Sequence, residues 1–210
     1  MKGLKPKTPY MLALRERILE TAMTAFATKG IKAVKMDDIA QTLSISKRTL
    51  YEIYENKEIL LFEGVKKYAL LRTEQMKELY EKSSNVMDII MGVYRMKVKE
   101  FELTCPEFYS DITKYPSVIE FLHKDGERSH DLFMGFLKRG VEERYFRPDV
   151  RLDMISMLFS AIMDYITKQQ LYKTCTAEEL FHNMLFVTMR WFCTTEGAKL
   201  LDNYIQGQEG

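Results

Sequence analysis

Apolar residues recur at helical spacing along almost the whole chain. Over residues 11–29, Ile18, Ala22 and Phe26 fall four apart with Leu19 and Met23 beside them, which is the buried stripe of an amphipathic helix. Gly30 then supplies the C-terminal cap. A short second helix is predicted over 36–43 and a third over 47–54, where the Ser46 hydroxyl accepts from the first free backbone amides. Only Ser44, Ile45 and Ser46 separate these two, so they must cross steeply, as the halves of a helix-turn-helix do, with Ile45 plugging the turn. A fourth helix begins near Lys57 and runs through Leu60, Leu61, Val65, Tyr68 and Leu71 to about Tyr80, long enough to leave this three-helix head.

The rest of the chain reads as helix after helix. The pattern predicts one over 86–103 before Pro106, a broken pair over 106–112 and 116–122, and another over 127–143. After the break at Arg147, Pro148 and Asp149 come helices over 152–172 and 177–193, the latter opened by a capping box of Thr176 and Glu179, and a terminal helix over 196–204. No strand alternation occurs. The expected fold is therefore all-α: a helix-turn-helix head over 1–56 joined by the long fourth helix to a helical body over 57–210.

Composition agrees, since 46% of residues are hydrophobic and only 10 Gly and 5 Pro interrupt them, which suits long helices with few tight turns. No apolar run reaches the length of a membrane span, and the basic start lacks the apolar core of a signal peptide, so a cytoplasmic protein without membrane contact is expected. Cys105, Cys175 and Cys193 are an odd number, widely spaced among apolar residues, and read as reduced core thiols rather than a disulfide framework or a zinc site. No metal and no cofactor is expected. His123 and His130 lie seven apart without a third ligand and read as surface or pocket-edge residues.

A net charge of +1 hides an asymmetry: residues 1–57 hold 11 Lys and Arg against 6 Asp and Glu, and the remainder 20 against 24. A basic head suits a polyanionic partner, though a solvated basic face would look the same. Lys2, Lys5 and Lys7, around Pro6 and Pro9, form a basic arm over 1–10 that either lies along a nucleic-acid backbone or is an incidental tail. Catalysis has no candidate residues: there is no phosphate loop, no Gly-x-Ser-x-Gly turn and no His-Glu-x-x-His run, so the chain is not expected to be an enzyme. A helical protein-binding adaptor would explain the body but not the basic head.

Between Arg17 and Leu61 the residues Ile18-Leu19, Ala22, Phe26, Gly30, Met36, Ile39-Ala40, Leu43, Ile45-Ser46-Lys47, Thr49-Leu50-Tyr51, Tyr54, Lys57-Glu58 and Leu60-Leu61 occur in an order and spacing that resembles the tetracycline-repressor (TetR) family. The body matches that family only in length and helical character. Three positions depart from the family pattern: Lys35 stands where Thr commonly caps the second helix, Ser44 where a small residue, often Gly, makes the turn, and Arg48 where many members carry Gly. The resemblance implies a DNA-binding transcription regulator, either a repressor or a ligand-dependent activator, that grips a palindromic double-stranded operator as a homodimer and answers to a small-molecule effector.

The third helix carries the groups such a role needs. Lys47, Arg48, Thr49 and Tyr51 suit a helix whose first turn faces base edges and whose flanks face phosphates. Arg48 is the candidate for a bidentate guanine contact, Thr49 and Tyr51 for phosphates. Lys35, Ser46 and Lys57 complete the expected contact set, Lys57 as a phosphate ligand at the start of the fourth helix. Glu52 either accepts from a cytosine or, the favoured reading, faces solvent.

Two helices of the body are apolar nearly all round. Ile155, Leu158, Phe159 and Ile162 on one and Phe181, Met184, Leu185, Thr188, Trp191 and Phe192 on the next need cover on both sides. Either both are buried within one chain, or two from each of two chains close a four-helix bundle, where the resemblance also places a dimer interface. The resemblance further implies a pocket for an apolar effector in the body. Tyr94, Phe101, Phe108, Tyr109, Phe133, Phe136 and Met163 could line it, ordinary core being the simpler reading for any one of them.

Overall fold

The computed structural model describes residues 8–206, the side chains of 127–129 and 206 excepted. Every regular element among them is helical, apart from an isolated antiparallel bridge between Phe146 and Cys193. In order these are α1 (Pro9–Lys29), α2 (Met36–Thr42), α3 (Lys47–Ile53), α4 (Lys57–Lys82), α5 (Val86–Glu102), α6 (Pro106–Ile112), α7 (Pro116–Glu142) and α8 (Leu152–Lys168). A 3-10 turn at Leu171–Lys173 leads to α9 (Ala177–Leu180), a π-helical stretch Phe181–Phe186, α10 (Val187–Phe192) and α11 (Thr195–Gln206).

Contacts divide the chain into two compact units, one made of the residues up to Leu70 with Leu103–Leu122, the other of Leu71–Glu102 with the residues from His123 onward. The head expected over 1–56 thus packs together with the first half of α4 and with α6. Its core is built from the α1 stripe, Leu14, Ile18, Ala22 and Phe26, closed by Ile31, Val34, Met36, Ile39, Leu50, Tyr54, Leu60, Leu61 and Val118. The second core gathers Val86, Met87 and Ile90 of α5, Phe136 and Leu137 of α7, Phe146, Phe192 and Leu201. Its centre is a run of rings, Phe136 to Phe146 at 5.5 Å and Phe146 to Phe192 at 4.9 Å, each edge-on as aromatic quadrupoles prefer.

Several boundaries differ from expectation. The first helix starts two residues earlier, with Pro9 at its first position and the Thr8 hydroxyl accepting from the Met11 amide at 3.3 Å. Part of the arm expected over 1–10 is therefore helix, while Lys2, Lys5 and Lys7 lie outside the described residues. The break expected between 122 and 127 is absent: Gly126 sits inside a continuous α7, where a lone glycine costs about 1 kcal/mol against Ala but keeps its amide and carbonyl. The helix expected over 152–172 stops at Lys168, because Gln170 adopts a left-handed φ of 53°. The π-helical stretch was not foreseeable from spacing alone. It brings residues five apart onto one side, so that Phe181 and Phe186 both reach Tyr94, at 5.3 and 5.4 Å.

Candidate nucleic-acid interface

The third helix is mounted by its inner face. Leu50 and Tyr54 are fully buried and Ile53 partly so, against the α1 stripe. Its start is fixed by Ser46, whose Oγ accepts from the Thr49 amide at 3.0 Å and lies 2.8 Å from Thr49 Oγ1. What remains outward is the polar side: Lys47, Arg48, Tyr51 and Glu52 are exposed and Thr49 is half-buried. Arg48 leaves 88% of its side chain in water, so its guanidinium is accessible from outside the head.

The turn before α3 closes α2 with two reverse hydrogen bonds, Ile45 N–H to Ala40 O and Ser44 N–H to Gln41 O, both 3.0 Å. This pairing demands a left-handed residue between the helices, and Ser44 supplies it at φ 53°. Glycine would enter that region without a Cβ penalty, so the departure at this position carries the strain expected of it. At the start of α2 the Asp38 carboxylate accepts from the Lys35 amide at 3.0 Å. The exposed Lys35 side chain has no acceptor with which to return the bond, as the substitution for Thr implies.

Both cations of α3 are held by carboxylates. Lys47 is paired with Asp37 of α2, a bond that raises the ammonium's pKa, and Arg48 Nε donates to Glu52 Oε1 at 3.0 Å one turn along. Glu52 is thus exposed, as favoured, but engaged with Arg48.

Lys57, expected as a phosphate ligand, has a second role in the fold. Its ammonium turns inward and donates to Ile31 O at 2.8 Å and Val34 O at 3.0 Å, clamping the α1–α2 loop, and burial lowers its pKa. One N–H of three is left for anything else.

The expected interface helices divide in the same manner. Phe192 is buried against Phe146, and Thr188 is buried with its hydroxyl on Met184 O at 2.6 Å, so neither faces outward. Phe159 is half-buried against Phe133 and Phe192. Ile155, Ile162, Phe181, Met184 and Leu185 are also half-buried. The outward stripe on α8 is Met154, Met157, Leu158 and Tyr165, and on α10 Val187 and Trp191. Of the candidate pocket residues, Phe108 and Tyr109 belong to the first compact unit, while Tyr94, Phe101, Phe133, Phe136 and Met163 belong to the second. Within the second unit Phe136 is buried and stacks on Phe133 at 5.8 Å, while Met163 is 49% exposed.

The thiols are all free: Cys193 is buried, its pKa pushed up to about 12 by desolvation, whereas Cys105 and Cys175 are only half-buried. His130 Nδ1 lies 3.2 Å from Ser156 Oγ. Among the described residues no cluster of His, Cys, Asp and Glu is placed to hold a metal ion, and no helix is long and apolar enough to cross a membrane. Sequence reasoning passed over Asp37, Asp38 and Asp111. Asp38 had a legible signal, an acid at the third position of a helix; the other two depend on distant partners.

The model for bacterial regulatory proteins of the tetR family matches residues 18–63, the stretch that forms the helix-turn-helix and the start of α4. The HTH-type transcriptional repressor KstR2 of Mycolicibacterium smegmatis is 23% identical over 158 residues, covering 72% of this chain and 77% of that protein. Over residues 18–63 the chain is thus similar to the regulators of the tetR family. A solved TetR-family regulator from Marinobacter aquaeolei superposes with a TM-score of 0.75 at 17% identity, over 92% of this chain and 97% of the other. The ketosteroid transcriptional regulator KstR2 of Mycobacterium tuberculosis does so at 0.58 and 18% identity, over 86% and 95%.

Proposed function

We propose that the chain is a TetR-family regulator, a cytoplasmic repressor that binds a palindromic operator as a homodimer and releases it when a small apolar effector occupies the body. The observation that carries this is the orientation of α3: its apolar side is anchored through Leu50 and Tyr54, and its exposed side presents Arg48, Lys47 and Tyr51 beside a capped N-terminus. A helix mounted this way inserts its polar side into a major groove, while Lys35 and Thr49 stand at its edges for phosphates.

The dimer reading rests on the apolar stripe left open on α8 and α10. Met157 and Leu158 lie three and four after Met154, Tyr165 seven after Leu158, and Trp191 four after Val187, the periodicity of one helix face seeking another. Two-fold symmetry then repeats α3 once per half-site. For the effector, the support is the ring cluster of Tyr94, Phe181 and Phe186 around the π-helical stretch, together with the ketosteroid named for one structural neighbour.

A gel shift with the intergenic DNA beside its own gene tests the reading. Tight, salt-sensitive binding that prefers this DNA over a scrambled duplex is expected; equal affinity for both would contradict it.

A further inference from the structure

We propose that Asp111, which lies outside the helix-turn-helix sequence, is a positioning residue for DNA binding: its carboxylate, presented by α6, fixes the loop that leads into α2. The inference rests on the DNA-binding reading above.

The geometry lies wholly within the first compact unit. Residues 27–32 run beside 105–111 through three contacts in the same order along both segments. Cys105 N–H donates to Ala27 O at 2.7 Å; Gly30, at φ 83°, approaches so closely that a Cβ there would stand 2.8 Å from Glu107 Cβ; and Lys32 N–H donates to Asp111 Oδ2 at 2.7 Å. From the other side the Lys57 ammonium holds Ile31 O and Val34 O. The loop between α1 and α2 is therefore gripped by an anion and a cation, three residues before Lys35.

Asp111 is only 7% exposed, and a carboxylate that is buried must be paired. Its other oxygen, Oδ1, accepts from Lys114 Nζ at 2.7 Å. Burial opposes the charge, but the bonds from Lys114 and Lys32 outweigh it and hold the group below its ordinary value, ionised at neutral pH. The Lys114 pair is local to α6 and its following turn; the Lys32 bond spans 79 positions and reaches the loop backbone itself. Core packing alone does not require it, because Ile31 and Val34 already bury the loop's apolar side chains. What the carboxylate adds is a fixed height and direction for the backbone entering α2, on which the crossing with α3 depends. Loss of a charged hydrogen bond leaves that entry to be ordered at the moment of binding, at the expense of affinity.

The test compares the full-length parent with Asp111→Ala, Asp111→Asn and Lys114→Ala, using a duplex selected by the parent from random DNA. Operator affinity should fall by at least about tenfold in Asp111→Ala. Asp111→Asn, whose amide oxygen can still accept from Lys32, should recover most of it, and Lys114→Ala should stay close to the parent. Hydrogen exchange at the Lys32 amide should be slow in the parent and Asp111→Asn and fast in Asp111→Ala. The inference is overturned if Asp111→Ala binds like the parent, if Asp111→Asn is as weak as Asp111→Ala, or if the parent's Lys32 amide exchanges as fast as that of exposed Ala33. The last readout holds even if Asp111→Ala does not fold. A parent that selects no sequence at all refutes the DNA-binding reading instead, and this inference with it.

Discussion

Truncating Trp191 should dissociate the proposed dimer while leaving the single chain as stable as before. Within one chain 71% of Trp191 stays in water, beside Met157 at 66% and Met154 at 54%. A tryptophan exposes roughly 250 Å² when free, so about 180 Å² remains to be covered; at about 25 cal/mol per Å² this is worth about 4 kcal/mol per chain. A symmetric interface uses the residue twice, which sets an upper bound of about 8 kcal/mol, and truncation at interface centres commonly costs about 2–4 kcal/mol or more. Trp191→Ala is therefore expected to raise the dimer dissociation constant by at least about 100-fold, each factor of ten being about 1.4 kcal/mol. Sedimentation velocity over a concentration series measures it, with thermal melting of the dilute chain as the control for folding. A dissociation constant within a small factor of the parent's, with melting also unchanged, would refute the assignment of this face.

Four further outcomes follow from the head. Ser44→Gly should raise stability by about 1 kcal/mol, because relief of the left-handed strain outweighs the added freedom of the unfolded chain; a drop in the melting midpoint would contradict the turn geometry. Lys57→Met should lower stability by about 1–3 kcal/mol through two orphaned carbonyls, in unfolding experiments that need no DNA. Burial raises the Tyr54 hydroxyl from 10.0 to about 12 and leaves it without a hydrogen-bond partner. The native state thus favours the neutral phenol: this contribution is full below the unfolded value and is lost as pH rises from 10.0 toward about 12, so Tyr54→Phe should flatten the alkaline loss of stability seen in denaturant titrations. Arg48→Ala should relax base preference at one position of each half-site, by about 1–3 kcal/mol of discrimination in competition binding, with non-specific affinity little changed.

The helices were legible because burial imposes a period that composition cannot hide. Ile18, Ala22 and Phe26 predicted α1, and the three residues 44–46 predicted the turn and its cap. Features set by contacts remote in sequence were not legible. Lys57 looked like a phosphate ligand because its position beside α3 is readable, whereas the two carbonyls that capture it, 26 and 23 positions away, are not. Likewise Phe192 and Trp191 are neighbours of the same apolar character, and only the ring contact with Phe146 decides that the first turns inward and the second outward. The break expected between 122 and 127 does not occur because a lone glycine's helix penalty of about 1 kcal/mol does not fix a boundary when the helix is anchored on both sides of it, by Val118 and by Phe136.

On the proposed reading α3 meets a duplex twice, through a symmetric pair of chains. In vitro selection from a random duplex library by the full-length protein addresses it most directly. Enriched palindromes are expected, with half-sites about one helical turn, or a multiple of it, apart. Recovery of unrelated or asymmetric sequences, bound no better than the starting library, would contradict it.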